Sequence, residues 1–296
     1  MDQYAELKQG EKGAWLSIAA YIFLSFVKLS VGYLAGSEAL IADGLNNTTD
    51  IIASIAVLIG LKIARKPPDQ DHPYGHYRAQ TIAALIASFI MVTVGLQVIG
   101  ESIFSFFDTG DHQMPDMLAA WTALASAALM YGVYQYNVRL ARRINNMAIM
   151  AAAQDNRSDM LVSIGAFIGI VGSQFGYPQI DSITAFIVGV IICKTAWEIF
   201  RDASHSLTDG FDENELNIIK ETIHSTPGVD AIHDIKARLH GNTVLVDVVI
   251  HVDPNLSVLE SHQITEDIEQ RMIVEHKITH VHVHVEPLSS SSCQHS

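Results

Sequence analysis

The chain has only two cysteines in 296 residues, Cys193 in an apolar run and Cys293 near its end. Two cysteines exclude a disulfide framework and a thiolate-built metal cage. Charge is also scarce, at 17% of residues, against roughly 25% in soluble domains. That deficit excludes an ordinary soluble protein and points to a membrane protein. Bases are scarcer than acids, 18 Lys and Arg against 32 Asp and Glu, which leaves a net charge of -14. From Asp209 onward there are 15 acids and 5 bases, so most of the excess sits in the last third. Such a surface repels nucleic-acid phosphates and attracts cations. Also missing are a nucleophile–base pair, a phosphate loop and an HExxH run, so the chain does not read as an enzyme. The first dozen residues are polar, and the long apolar run after them has no small-residue cleavage pattern. It reads as a spanning helix, not a signal peptide.

Long apolar runs are what the sequence does have. Six are long enough to cross about 30 Å of hydrocarbon at about 20 residues each: 14–34, 38–63, 79–107, 115–138, 148–175 and 181–203. Connectors alternate in charge. Lys8 and Lys12, then Lys62, Arg65, Lys66 and Arg78, then Arg139, Arg142 and Arg143 mark one side, and the intervening connectors hold no Lys or Arg. The positive-inside rule places both termini in the cytoplasm. Lys28 and Lys194 lie inside the first and sixth runs and read as snorkelling or paired. The expected fold is a polytopic α-helical membrane domain, residues 1–210. Next comes a cytoplasmic α+β domain of order αββαβ, metallochaperone-like, at 211–288, and then a disordered tail at 289–296.

The second run carries polar residues that lipid does not favour. In ADGLNNTTD, Asn46 and Asp50 are four apart and share a helix face, with Asp43 on nearly the same face. A loop here would leave only Ile51–Ile63 to cross the bilayer, which is too short. Asp155 and Asp159 repeat the same spacing in the fifth run. Two such pairs on two helices form one oxygen site whose charge a divalent cation, or competing protons, can neutralise. No histidine lies in any of the six runs, so the quartet is oxygen-only. Such ligands suit manganese, magnesium and calcium better than zinc or copper.

Two further clusters stand outside the spans. Asp69, His72 and His76 sit in the connector PDQDHPYGH and chelate if that segment turns helically; otherwise they are a solvated loop. Eleven of the 14 histidines follow Arg201. Alternation in TVLVDVVIHV and HVHVHVE puts Val244, Val246, Val248, Ile250 and Val252 on a core face. Asp247, His251, His280, His282, His284 and Glu286 share the opposite, exposed face.

Taken together, the paired site on the second and fifth runs, DHPYGH and the terminal VHVEP resemble the cation diffusion facilitators, divalent-metal/proton antiporters. The Asn46/Asp50 with Asp155/Asp159 form resembles their manganese-exporting branch. The resemblance implies a homodimer in the cell membrane, with Mn2+ and protons as substrates and alternating access as mechanism. It implies an accessory connector site and a cytoplasmic metal site at His233, His262, His284 and Glu286, where zinc is also accommodated. His251 stands in for a ligand position occupied here by Val249. It further implies a charge pair, Arg78 with Asp209, that holds the dimer at the membrane surface. Two readings stay beside it: an exporter of Zn2+, Fe2+ or Co2+, and a membrane-anchored metal sensor that transports nothing.

Overall fold

The structure, a computed structural model, describes residues 3–35, 38–107, 117–175, 179–241 and 243–288. Side chains are described there except at 3–6, 35, 38–43, 45, 46, 49, 173, 174, 179–182, 184 and 185. The expected tail at 289–296 lies outside the described residues. The chain forms two compact units, Met1–Ser204 and His205–Ser296.

Six long helices make up the first unit: α1 Gln3–Ala35, α2 Glu38–Ala64, α3 Ala79–Phe107, α4 Met117–Ile144, α5 Met147–Gln174 and α6 Gln179–Leu207. Among the described residues, each of the six apolar runs falls on one of them to within a residue. Three of the helices, α1 over Leu7–Leu34, α3 and α4, are long and apolar enough among the described residues to cross a membrane. The interior is built largely of small side chains. Ala14, Ala64, Ala83, Ala84, Ala87, Ala141, Ala148, Ala151, Ala152 and Ala203 share one cluster with Leu7, Ile18, Val57, Leu58, Leu61 and Ile149. Without water to drive burial in lipid, such small residues let helix backbones approach and gain dispersion contact. Gly95 and Gly189 do the same between α3 and α6. A Cβ on Gly95 would lie 2.6 Å from Cys193 Sγ, and one on Gly189 2.7 Å from Ile99 Cγ1. Large apolar side chains instead face outward, among them Phe26, Phe104, Trp121 and Trp197.

The second unit follows the order α7 Glu213–His224, β1 Ala231–His240, β2 Thr243–Val252, α8 Val258–His276 and β3 His280–Pro287. β2 is central, antiparallel to β1 and parallel to β3. The parallel pair requires a crossover, which α8 supplies. Val246, Val248, Ile250 and Val252 pack with Ile219 and Ile223 of α7 and with Ile264, Ile268 and Met272 of α8. Both helices therefore cover one sheet face. Asp212 caps α7 through Asn214 N and Glu215 N, and a Ser257–Glu260 capping box starts α8. Arg271 ties the two helices: its Nη1 donates to Thr222 O at 2.7 Å and to Ser225 Oγ and Thr226 Oγ1 at 3.0 Å.

Candidate metal centre

Asp50 on α2 and Asp155 and Asp159 on α5 are buried, at 2%, 8% and 7% exposure. One carboxylate oxygen from each lies within 4.8 Å of the others. The i, i+4 spacing puts both α5 acids on one face, and α2 packs against that helix. Asn46 lies on α2 one turn before Asp50, but its side chain, like that of Asp43, is outside the described residues. Its neighbour Asn47 is buried, and neither amide atom has a hydrogen-bond partner among the described residues.

Three ionised carboxylates at this spacing repel by about 3 kcal/mol per pair at an effective dielectric near 20. A divalent cation at their centre, or protons, removes that cost. The three groups that meet here all offer carboxylate oxygens, the donor set of hard cations. Cys193, on α6, is not part of the group.

A buried hydrogen-bond chain holds the α5 side of this cluster, and the sequence reading passed over it. Tyr21 on α1 donates from its hydroxyl to Asp155 Oδ2 at 3.0 Å. Asn156 Nδ2 donates to the same hydroxyl at 3.2 Å. Asn156 Oδ1 accepts from Ser17 Oγ at 2.9 Å and Asn137 Nδ2 at 3.2 Å, and Asn137 also donates to Ser17 Oγ at 2.8 Å. Helices α1, α4 and α5 are thus joined through buried polar groups, of which Ser17, Tyr21, Asn137 and Asn156 are fully enclosed. The available signal was the same as for Asp50: Ser17 and Tyr21 lie four apart inside an apolar run. Lys28, on the same helix, is 1% exposed, so it does not snorkel. Lys194 is exposed and lies 4.0 Å from Glu198.

Asp69, His72 and His76 also meet, each offering a ligand atom within 4.8 Å of the others. Asp69 Oδ1 is 3.3 Å from His72 Nδ1, and Oδ2 is 3.5 Å from His76 Nε2. The condition set from sequence does not hold, because the segment is not helical. Pro73 interrupts it, and a turn closed by Gly75 N donating to His72 O at 2.9 Å brings His76 back. Gly75 sits at φ 82, a conformation that favours glycine. The His72 backbone N–H, 2.7 Å from Asp69 Oδ1, is the main reason this carboxyl is held below its ordinary pKa, with both imidazoles adding to the effect.

In the second unit, β2 and β3 pair Val249 with His284 and His251 with Glu286. Glu286 reaches both histidines, Oε2 at 3.4 Å from His251 Nε2 and Oε1 at 3.7 Å from His284 Nε2. His233 stacks on His251 with centroids 5.2 Å apart. The cause is a bulge: Ile232 pairs with Ile250 and Asp234 with Val249, leaving His233 as the extra residue. His251 is therefore buried, not exposed as alternation implied. His262 is engaged elsewhere, 3.5 Å from Glu266 one turn on along α8. Among the described residues no three of these side chains bring ligand atoms within 4.8 Å of one another. Arg78 stands just before α3, and Asp209 follows α6 at φ 61.

Long helices around buried acids, followed by a small αββαβ unit, define a membrane protein that handles cations. Residues 14–208 match the family model for the cation efflux transmembrane domain, and residues 211–288 match that for the cation efflux protein cytoplasmic domain. The chain belongs to the cation efflux family of membrane transporters. It is 60% identical over 291 residues to the manganese efflux system protein MneS of Bacillus subtilis (strain 168), covering 97% of this chain and 99% of that protein. It is 33% identical over 285 residues to the manganese efflux system protein MneP of the same organism, covering 93% and 95%. It is 32% identical over 282 residues to the magnetosome protein MamB of Magnetospira sp. (strain QH-2), covering 93% and 94%.

Proposed function

We propose that this protein exports Mn2+ from the cytoplasm in exchange for protons, as a homodimer in the cell membrane with both termini cytoplasmic. The observation that carries the reading is the buried oxygen-only meeting of Asp50, Asp155 and Asp159 between two helices of a cation efflux domain. Likeness to two manganese efflux proteins supports the metal. Asn46 completes the site as fourth ligand. Mn2+ enters from the cytoplasm, binds the quartet, and leaves outward when the helices rearrange. Protons then neutralise the carboxylates and the site returns. Moving one helix group against another around a fixed site is an established route to alternating access. The connector cluster and the His233, His251, His284 and Glu286 group act as accessory sites. Arg78 and Asp209 act as a charge pair that supports the dimer.

The test is metal uptake into inside-out vesicles with an imposed pH gradient, comparing Mn2+ with Zn2+. Uptake of Mn2+ in preference to Zn2+, abolished when the gradient is collapsed and in Asp50→Ala and Asp159→Ala, is the expected result. Zn2+ preference would assign selectivity to something other than the oxygen donors. Mn2+ uptake retained in either variant would refute the site, and no gradient-driven uptake would turn the reading to a metal sensor.

A further inference from the structure

A cleft of about 790 Å³ opens between α1 and α4, and none of the three carboxylates lines it. Its walls include Lys12 of α1 and Tyr131, Gly132, Tyr136, Arg139 and Arg143 of α4, and no acid lines it among the described residues. The sequence reading used these bases only to orient the helices. Their arrangement is more specific than that. Gly132, Tyr136, Arg139 and Arg143 are spaced four, three and four apart, so they run as one stripe along a single face of α4. Arg139 and Arg143 present two guanidinium groups one turn apart at the helix end, and Lys12 faces them from α1. Moving into the apolar part of the helix, the stripe passes the half-exposed Tyr136 ring. It ends at Gly132, where a Cβ would meet nothing within 4 Å. From Arg139 to Gly132 is about 10 Å of helix at 1.5 Å per residue.

We propose that this cleft binds one anionic phospholipid. Its phosphate sits among Lys12, Arg139 and Arg143, and its acyl chain lies along the bare backbone at Gly132. Tyr131 and Tyr136 flank the glycerol region, where amphipathic rings are favoured. Basic pockets between spanning helices are the known form of such lipid recognition. The occupant is a lipid and not free phosphate because a free anion uses only the charged end. About 10 Å of groove at hydrocarbon depth would then be left unfilled. The site is separate from the transport reading and stands or falls without it.

Native mass spectrometry of the full-length protein, offered phosphatidylglycerol, phosphatidylcholine or inorganic phosphate, tests this. Wild type is expected to retain one phosphatidylglycerol in preference to phosphatidylcholine, undisplaced by millimolar phosphate. The triple variant K12Q/R139Q/R143Q is expected to bind it on the order of 100-fold more weakly, from roughly fivefold per cation. Gly132→Trp keeps every charge, improves helix propensity and fills the groove. It is expected to lose the lipid too, which keeps the test valid if the triple variant misfolds. Equal retention of both lipids, full displacement by phosphate, or unchanged lipid retention in Gly132→Trp would each overturn the proposal.

Discussion

Replacing Tyr21 by Phe separates positioning of the carboxylates from packing around them. The ring is fully buried, and its hydroxyl connects α1 to the cluster by donating to Asp155 Oδ2 at 3.0 Å. Phe keeps the volume and removes the hydrogen bond to the acidic group together with the one the hydroxyl accepts from Asn156 Nδ2 at 3.2 Å. Bonds of that kind contribute about 1.5–3 kcal/mol, and outer partners of metal ligands typically hold about 10–100-fold in affinity. Tyr21→Phe should therefore raise both the Kd for Mn2+, measured by calorimetry on the purified protein, and the apparent KM in proteoliposomes by about 10–100-fold. Ser17→Ala acts one link further away and should cost less than about tenfold, because Asn137 still holds Asn156 at 3.2 Å. If the hydroxyl works through Asp155, the Tyr21→Phe effect disappears in an Asp155→Asn background, since coupled residues are not additive. A folded Tyr21→Phe protein with wild-type Kd and KM would refute the positioning role.

Two other outcomes follow from groups outside the membrane. Arg271→Ala removes three hydrogen bonds at the C-terminal end of α7, where a cation also opposes the helix dipole. Hydrogen exchange on the full-length protein should show α7 amides opening about 1–3 kcal/mol more easily, and unchanged protection there would contradict the assignment. In the connector, the depressed Asp69 pKa means that its contribution to the turn is present above the ordinary carboxylate pKa. That contribution is lost only as pH falls through the lower folded value. The carboxylate therefore stays charged, and available to a cation, across the neutral range. Asp69→Asn should weaken Zn2+ binding at neutral pH, measured by calorimetry on the purified protein. Unchanged Zn2+ affinity in that variant would remove the carboxylate from the site.

What the sequence revealed and what it hid differ by the range of the interaction involved. The six runs appear as helices because about 20 apolar residues in lipid leave the backbone no other way to satisfy itself. Asp50, Asp155 and Asp159 stood out because polar groups are conspicuous in such runs, and their i, i+4 spacing already put the two α5 acids on one face. Tyr21, Ser17, Asn137 and Asn156 come from three helices, and no spacing within one helix reveals which neighbour faces which. The connector convergence was expected from a helical periodicity. It arises instead from a Pro–Gly turn, which brings i and i+4 together by a different geometry. His251 shows the limit most sharply. Alternation placed it correctly on the face opposite the core, but a bulge one strand away folds His233 over it and buries it. Side-chain direction in a strand is local and periodic. Exposure depends on what the neighbouring strand does, and one inserted residue there is enough to turn a surface histidine into a buried one.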